Sequence, residues 1–217
     1  MERNKSIKRA AVVLSGCGVY DGSEIHEAVI TLLALLRNGI DVEFFAPNIA
    51  SSDCVNHIDG SAETPRNVLI ESARIARGNI TPLSAFNAEN FDMILFPGGF
   101  GAAKNLCTFA YDGANCVVEE SVKKAILSMY EAGKKLGFIC IAPVIAAKVI
   151  SNGVKITIGN DAGTAEAINA MGGQHVECTA DSFVQDGNVF STPAYMLAEN
   201  AAVVEVGVSK MVSKMSE

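Results

Sequence analysis

Lys135-Leu136-Gly137-Phe138-Ile139-Cys140-Ile141-Ala142-Pro143 decides how this chain folds. An apolar run that reads as a buried strand stops at a cysteine, and a helix-type pattern with an early proline follows at once. A strand–cysteine–helix turn lifts one side chain out of the backbone and aims it at a helix N-terminus. The unpaired N–H groups and positive dipole end there favour a thiolate over a thiol. The competing reading is a small buried hydrophobe, the usual fate of a lone cysteine. The segment by itself supports both.

Working outward, β-rich runs alternate with helix-period segments. Ala10–Leu14 reads as a strand and Glu24–Arg37 as a helix ended by Asn38-Gly39. Val42–Phe45 is the next strand, followed by a polar loop through Ser61. Thr64-Pro65 predicts a helix start, with the helix running to about Arg77 and Gly78. This makes residues 50–82 a helical excursion within a single domain, 1–217. Met93–Phe96 is a buried strand stopped by Pro97-Gly98-Gly99, and Glu119–Glu131 is a helix leading into the strand before Cys140. Lys155–Ile158 reads as strand and Thr164–Met171 as helix. Ser182–Gln185 and Val189–Thr192 flank Asp186-Gly187 as a hairpin, and a closing helix runs from Ala194. The alternation predicts an α/β fold, a mostly parallel sheet covered on both faces, with ligands at the carboxyl ends of the strands.

The 217 residues carry 17 basic and 24 acidic side chains, a net charge of −7 with no basic stripe, which argues against nucleic-acid binding. No apolar run approaches the ~20 residues of a membrane span. Lys5, Lys8 and Arg9 before Ala10–Cys17 superficially resemble a lipoprotein signal. The apolar core is shorter than the ~7–15 residues of a secretory h-region, so a first buried strand explains it better. Six cysteines, at 17, 54, 107, 116, 140 and 178, include no CxxC and no paired metal spacing. That pattern suits a reducing cytoplasm and gives no reason to expect a metal. Cys54-x-x-His57 offers only two ligands in a polar loop.

Three strand ends converge on one sheet edge: Gly16–Glu27, Pro97–Gly101 and Cys140. Pro97-Gly98-Gly99-Phe100-Gly101 lacks the spacing and lysine of a phosphate loop, but its glycines suit outward-facing N–H groups. Glu24 and Glu27 open the first helix, where carboxylates also simply favour the dipole. A carboxyl held beside Cys140 stays protonated in such surroundings, bonds the sulfur and shuttles a proton.

Taken together, Ser15–Glu27, the Pro97-Gly98-Gly99 turn and Phe138–Pro143 resemble the DJ-1/PfpI superfamily. Within it the chain is similar to the ElbB group of sigma cross-reacting or enhancing-lycopene-biosynthesis proteins. Glu63-Thr64-Pro65-Arg66-Asn67-Val68 and Ser191-Thr192-Pro193-Ala194-Tyr195-Met196 belong to the same likeness, which covers essentially the whole chain. The resemblance implies a flavodoxin-like three-layer sandwich and a homodimer. Cys140 would be the reactive cysteine, with Gly98, Gly99 and Ile141 as oxyanion donors. Glu27 would be the acid, with Glu24 the alternative. It further implies a cofactor-independent glyoxalase-type conversion of small dicarbonyls to hydroxy acids, with apparent deglycase activity. The alternatives are a redox-sensing or interaction protein using the same cysteine, and an amidotransferase-like accessory of isoprenoid metabolism.

Two departures stand out. The loop Ile158-Gly159-Asn160-Asp161 lacks the histidine many members carry there, and Ile141-Ala142 replaces the usual residues after the cysteine. His175-Val176-Glu177 mimics an amidotransferase His-x-Glu but lies too near Cys140 in sequence and reads as strand. His26 flanks the candidate acids, with a helix-surface role as its other reading.

Overall fold

The structure is a computed structural model that describes residues 7–217; Lys5 of the signal-like segment lies outside these residues. Its frame is a seven-stranded sheet. The strands are β1 (Arg9–Val13), β2 (Asp41–Ala46), β3 (Ile80–Pro82), β4 (Met93–Phe96), β5 (Lys135–Ile139), β8 (Val184–Asp186) and β9 (Val189–Thr192). They run in the order β3-β2-β1-β4-β5-β9-β8, and only β8 is antiparallel to its neighbour. β6 (Lys155–Ile156) and β7 (Gln174–His175) form a separate parallel pair.

The strands carry apolar residues on both faces because helices cover both. Ala11, Val13, Ile94, Phe96 and Phe138 belong to one core layer, under α5 (Glu120–Glu131), α6 (Pro143–Ile150) and α7 (Ala162–Ala170). Ala10, Val12, Met93 and Leu95 belong to the other, under α1 (Ile25–Arg37), α2 (Val68–Ile75) and α8 (Ala201–Met215). This odd–even split follows from the two-residue period of a strand, and near-continuous apolar runs mark a sheet buried on both sides. Phe96 and Phe138, on adjacent strands, stack with ring centroids 5.1 Å apart.

Strand order reverses between β1 and β4. From that point the chain moves outward through β2 and β3, then returns and moves outward again through β5 and β9. Open parallel sheets bind ligands at such switch points, outside the carboxyl ends of the strands. The loops after β1, β4 and β5 all emerge there.

Several expectations need adjustment. Thr64-Pro65 does not start a helix: α2 begins at Val68, capped by Asn67, whose side chain accepts the Ile70 N–H at 3.0 Å. The preceding residues are held instead by bridges Ala50↔Asn67 and Val55↔Ala62. Of residues 50–82, therefore, only α2 is α-helical, and β3 rejoins the main sheet beside β2. The last helix starts at Ala201 and not Ala194, because Asn200 caps the N–H groups of Ala202 and Val203. Two short helices, α3 (Phe100–Lys104) and α4 (Phe109–Asp112), occupy a stretch the sequence left unassigned.

Candidate active site

Cys140 occupies the turn between β5 and α6 with φ of 62°, a left-handed conformation that costs a non-glycine residue about 1–2 kcal/mol. Hydrogen bonds on either side hold it: Cys140 N–H donates to the Thr192 carbonyl at 2.9 Å, and Ala142 N–H to the Ile139 carbonyl at 3.0 Å. Strained backbone over-determined by its surroundings is a mark of functional turns. The side chain is nearly buried. The backbone N–H groups of Gly99 and Ile141 and the carboxyl of Glu27 are the polar groups set against its sulfur.

Glu27, on the first turn of α1, is completely buried. Its Oε2 accepts the Gly98 N–H at 3.0 Å and its Oε1 the Tyr195 N–H at 3.2 Å. Burial, reinforced by the charge of Glu24, pushes its pKa up to about 8 from an ordinary 4.5; the two backbone donors and Cys140 oppose this without reversing it. Burial also raises the Cys140 thiol, and the charge of Glu27 adds to that whenever Glu27 is ionised.

The dipole argument for a resting thiolate is therefore corrected. The Gly99 and Ile141 N–H groups pull in the expected direction, but desolvation outweighs them. Burial shifts both groups toward their protonated forms, and the first proton lost belongs to the pair. A protonated Glu27 exerts no charge on the sulfur and offers it an O–H donor.

Glu24, the other candidate acid, does different work. It caps α1, accepting the Glu27 N–H at 2.6 Å, and its side chain lines the cleft rather than binding the sulfur. The set of oxyanion donors also changes. Gly98 N–H is committed to Glu27, which leaves Gly99 and Ile141 directed at the sulfur. Gly98 is required for a different reason: a Cβ there would stand 2.7 Å from Glu27 Oε2 and 2.9 Å from the Ile139 carbonyl.

Above Cys140 opens a cleft of about 390 Å³, whose wall includes Glu24, Phe100, Phe109, Ile141, Asp161 and Tyr195. A larger concavity of about 540 Å³ between Leu83, Phe86 and α5 contains no cysteine or buried acid in its wall. Asp161 occupies the loop where the family histidine was sought, and it caps α7 by accepting the Thr164 N–H at 2.8 Å. None of the three histidines is in the cleft wall. His26 Nδ1 is 2.8 Å from the Tyr195 hydroxyl. His57 binds the Val55 carbonyl and accepts from Tyr20 N–H, while Cys54 faces Ser51, so these two share no ligand geometry. His175 lies on β7 with its Nε2 unpartnered. Tyr195 and Asp161 were not singled out from the sequence. The signals were their places in the Ser191–Met196 string and the Ile158–Asp161 loop, and the position of Tyr195 after β9, the neighbour of β5, at its carboxyl end.

No protein-family model matches the chain. A human glutamine amidotransferase-like class 1 domain-containing protein 3, named mitochondrial, is 47% identical over 222 residues, covering 96% of this chain and 82% of that protein. A zebrafish ES1 protein, also named mitochondrial, is 34% identical over 206 residues, covering 86% and 76%. Among solved structures, an isoprenoid biosynthesis protein with amidotransferase-like domain from Ehrlichia chaffeensis superposes with a TM-score of 0.90 at 38% identity, covering 96% and 97%. Glyoxalase III from Candida albicans gives 0.65 at 14% identity, covering 97% and 98%, which shows a shared fold. The expected cytoplasmic location is corrected by these relatives, since those from human, rat and zebrafish are named mitochondrial. Unpaired cysteines indicate a reducing environment and do not single out the cytoplasm. Drosophila DJ-1beta, at a TM-score of 0.53 and 20% identity, shares the fold, and by the 47% identical human relative the chain belongs to the glutamine amidotransferase-like class 1 domain proteins.

Proposed function

We propose that the chain is a cofactor-independent glyoxalase-type enzyme that converts glyoxal and related dicarbonyls to hydroxy acids through Cys140. The observation that carries this is a fully buried Glu27 carboxyl, fixed by the Gly98 and Tyr195 N–H groups, beside the nearly buried Cys140 at the β5–α6 turn. On loss of one proton from the pair, the sulfur adds to an aldehyde carbon. The resulting oxyanion is stabilised by the Gly99 and Ile141 N–H groups and takes up a proton, giving a hemithioacetal. Glu27 then moves the proton from that carbon to its neighbour, producing a thioester. Water cleaves the thioester to release glycolate and restore the thiol. One carbon is oxidised and the other reduced, so no external oxidant or reductant is needed.

The test is glycolate production from glyoxal, followed by NMR with purified protein. Wild type should turn over many equivalents and Cys140→Ala none. Equal inertness of both, with peroxide modifying Cys140 selectively, would instead establish the redox-sensing reading. Burial of the sulfur and its raised pKa weigh against that alternative, because oxidation follows thiolate character and exposure. An amidotransferase role calls for a histidine at the sulfur, and Cys140 is partnered by Glu27, Gly99 and Ile141 instead.

A further inference from the structure

We infer that the Cys140 cleft is built for a neutral carbonyl compound with an apolar arm, an α-oxoaldehyde R–CO–CHO in which R is aryl or a chain of several carbons. This rests on the catalytic reading above and narrows its substrate class. Glyoxal fills only a small part of a cleft of about 390 Å³. Pockets of about 300–1,000 Å³ ordinarily hold drug-sized ligands. Val19, Phe100, Ala103, Phe109, Ile141 and Met196 help make the wall mainly apolar, and water left against such a surface favours an apolar occupant.

The charges point the same way. Glu24 and Asp161 are the ionisable acids in the wall, and no Lys, Arg or His lines it among the described residues. Lys104 sits 5.4 Å from the centroid of the Phe100 ring, but its ammonium is held by Asp53 at 3.1 Å and the Tyr20 carbonyl at 3.0 Å. His26 stands outside the wall against the Tyr195 hydroxyl. A carboxylate or phosphate, including the carboxylate of a free amino acid such as glutamine, would face two acids and no cation. The reaction leaves the arm free to occupy the wall. The thiol adds across the aldehyde C=O, the proton on that carbon moves to the carbon bearing R, and water cleaves the thioester to R–CH(OH)–COOH. The C–R bond is untouched.

Two measurements test this. First, kcat/KM is compared for glyoxal, methylglyoxal, phenylglyoxal and 4-carboxyphenylglyoxal. A rise of at least tenfold from glyoxal to phenylglyoxal is expected, with a fall of similar size when the ring carries a carboxylate; one methylene in an apolar pocket already discriminates by about 10–200-fold. Second, alkylation of Cys140 by N-benzyl-iodoacetamide, iodoacetamide and iodoacetate is followed by peptide mass spectrometry, each rate normalised to that with glutathione. The benzyl reagent should be at least tenfold faster than iodoacetamide and iodoacetate at least tenfold slower, and Met196→Lys should raise the iodoacetate rate. Turnover with a flat or glyoxal-preferring profile overturns the inference and leaves the catalytic reading standing. Selective alkylation by the benzyl reagent without turnover of any oxoaldehyde overturns the catalytic reading and supports the cleft's specificity. Equal normalised rates for all three reagents overturn the inference.

Discussion

Glu24 accepts the backbone N–H of Glu27 at 2.6 Å, so two acids on one helical turn have separate duties: one caps α1, the other partners the sulfur. Glu27→Gln should lower kcat/KM by about 10²–10⁴, the range of a lost general acid–base. Glu24→Gln should cost about 1 kcal/mol of stability through a weakened cap, with activity reduced far less. Steady-state kinetics and urea midpoints on the two variants check the division. Equal, full activity in both would remove the acid from the mechanism.

The raised pKa of Glu27 makes folding stability depend on pH in a defined window. Below about 4.5 the folded and unfolded chains both keep this proton, and its contribution is fully present. As pH rises to about 8 the unfolded chain ionises while the folded one does not, so stability falls, and it levels off above that. At ~1.4 kcal/mol per pH unit over this window, the loss amounts to roughly 3–5 kcal/mol. Glu27→Gln sacrifices one backbone hydrogen bond at every pH but should remove the part of the slope that Glu27 supplies. Denaturation curves of both proteins between pH 4.5 and 8.5 provide the measurement, and parallel curves would contradict the assignment.

The strain at Cys140 separates two inactive variants. Cys140→Gly removes the left-handed penalty that Cys140→Ala retains, so the glycine protein should be more stable by about 1 kcal/mol despite its more flexible unfolded chain. Urea midpoints compare them directly. If alanine were the more stable, the φ of 62° would not be a source of strain.

The elbow, the glycine turn and the alternation of β1, α1, β2 and β4 were legible because each rests on local pattern: buried runs, helical periodicity and Gly or Pro stops. What escaped depends on distant partners. Thr64-Pro65 is a sound helix start by itself, yet Val68 donates its N–H to Ile49, and Asn67 takes the cap. β3 has three residues, ends in proline and exists only because β2 offers an edge. In the site, Cys140 and Glu27 could be named from sequence. That Gly98 serves Glu27, and that Tyr195 closes its other side across 168 positions, required the fold. Desolvation was illegible for the same reason. A helix N-terminus suggests a thiolate, and only complete burial of Glu27 and near-complete burial of Cys140 show which effect prevails.

Gly98→Ala probes the close packing between Cys140 and Glu27. Its Cβ would press on the Cys140 Cβ and approach Glu27 Oε2 and the Ile139 carbonyl, and neither the backbone oxygen nor a fully buried carboxyl can yield easily. Overpacking of this kind costs about 1–3 kcal/mol, and displacing Glu27 should lower kcat/KM by about 10²-fold or more. Gly39→Ala is the reference: nothing lies within 4 Å of its Cβ, so its cost is confined to the backbone at φ of 68°. Thermal unfolding and kinetics on both should show Gly98→Ala losing stability and activity together, and Gly39→Ala losing stability alone. Full activity in Gly98→Ala would mean that Glu27 need not sit against the Gly98 amide for the chemistry to proceed.

The exposed side of α1 carries the remaining expectation, a homodimer. Ile25, Val29, Leu33 and Leu36 recur at helical spacing and are 43%, 47%, 41% and 54% exposed, while Glu27, Ala28, Thr31, Ala34 and Leu35 are buried on the opposite side. A continuous exposed apolar stripe of this kind calls for a cover, and a second copy presenting the same stripe satisfies a two-fold contact. Sedimentation should therefore give a dimer, and Val29→Glu with Leu36→Glu a monomer. Because both substituted residues point away from the core, the monomer should retain a cooperative thermal transition. A wild-type chain that sediments as a monomer at concentrations well above micromolar would leave the stripe without a partner of its own kind.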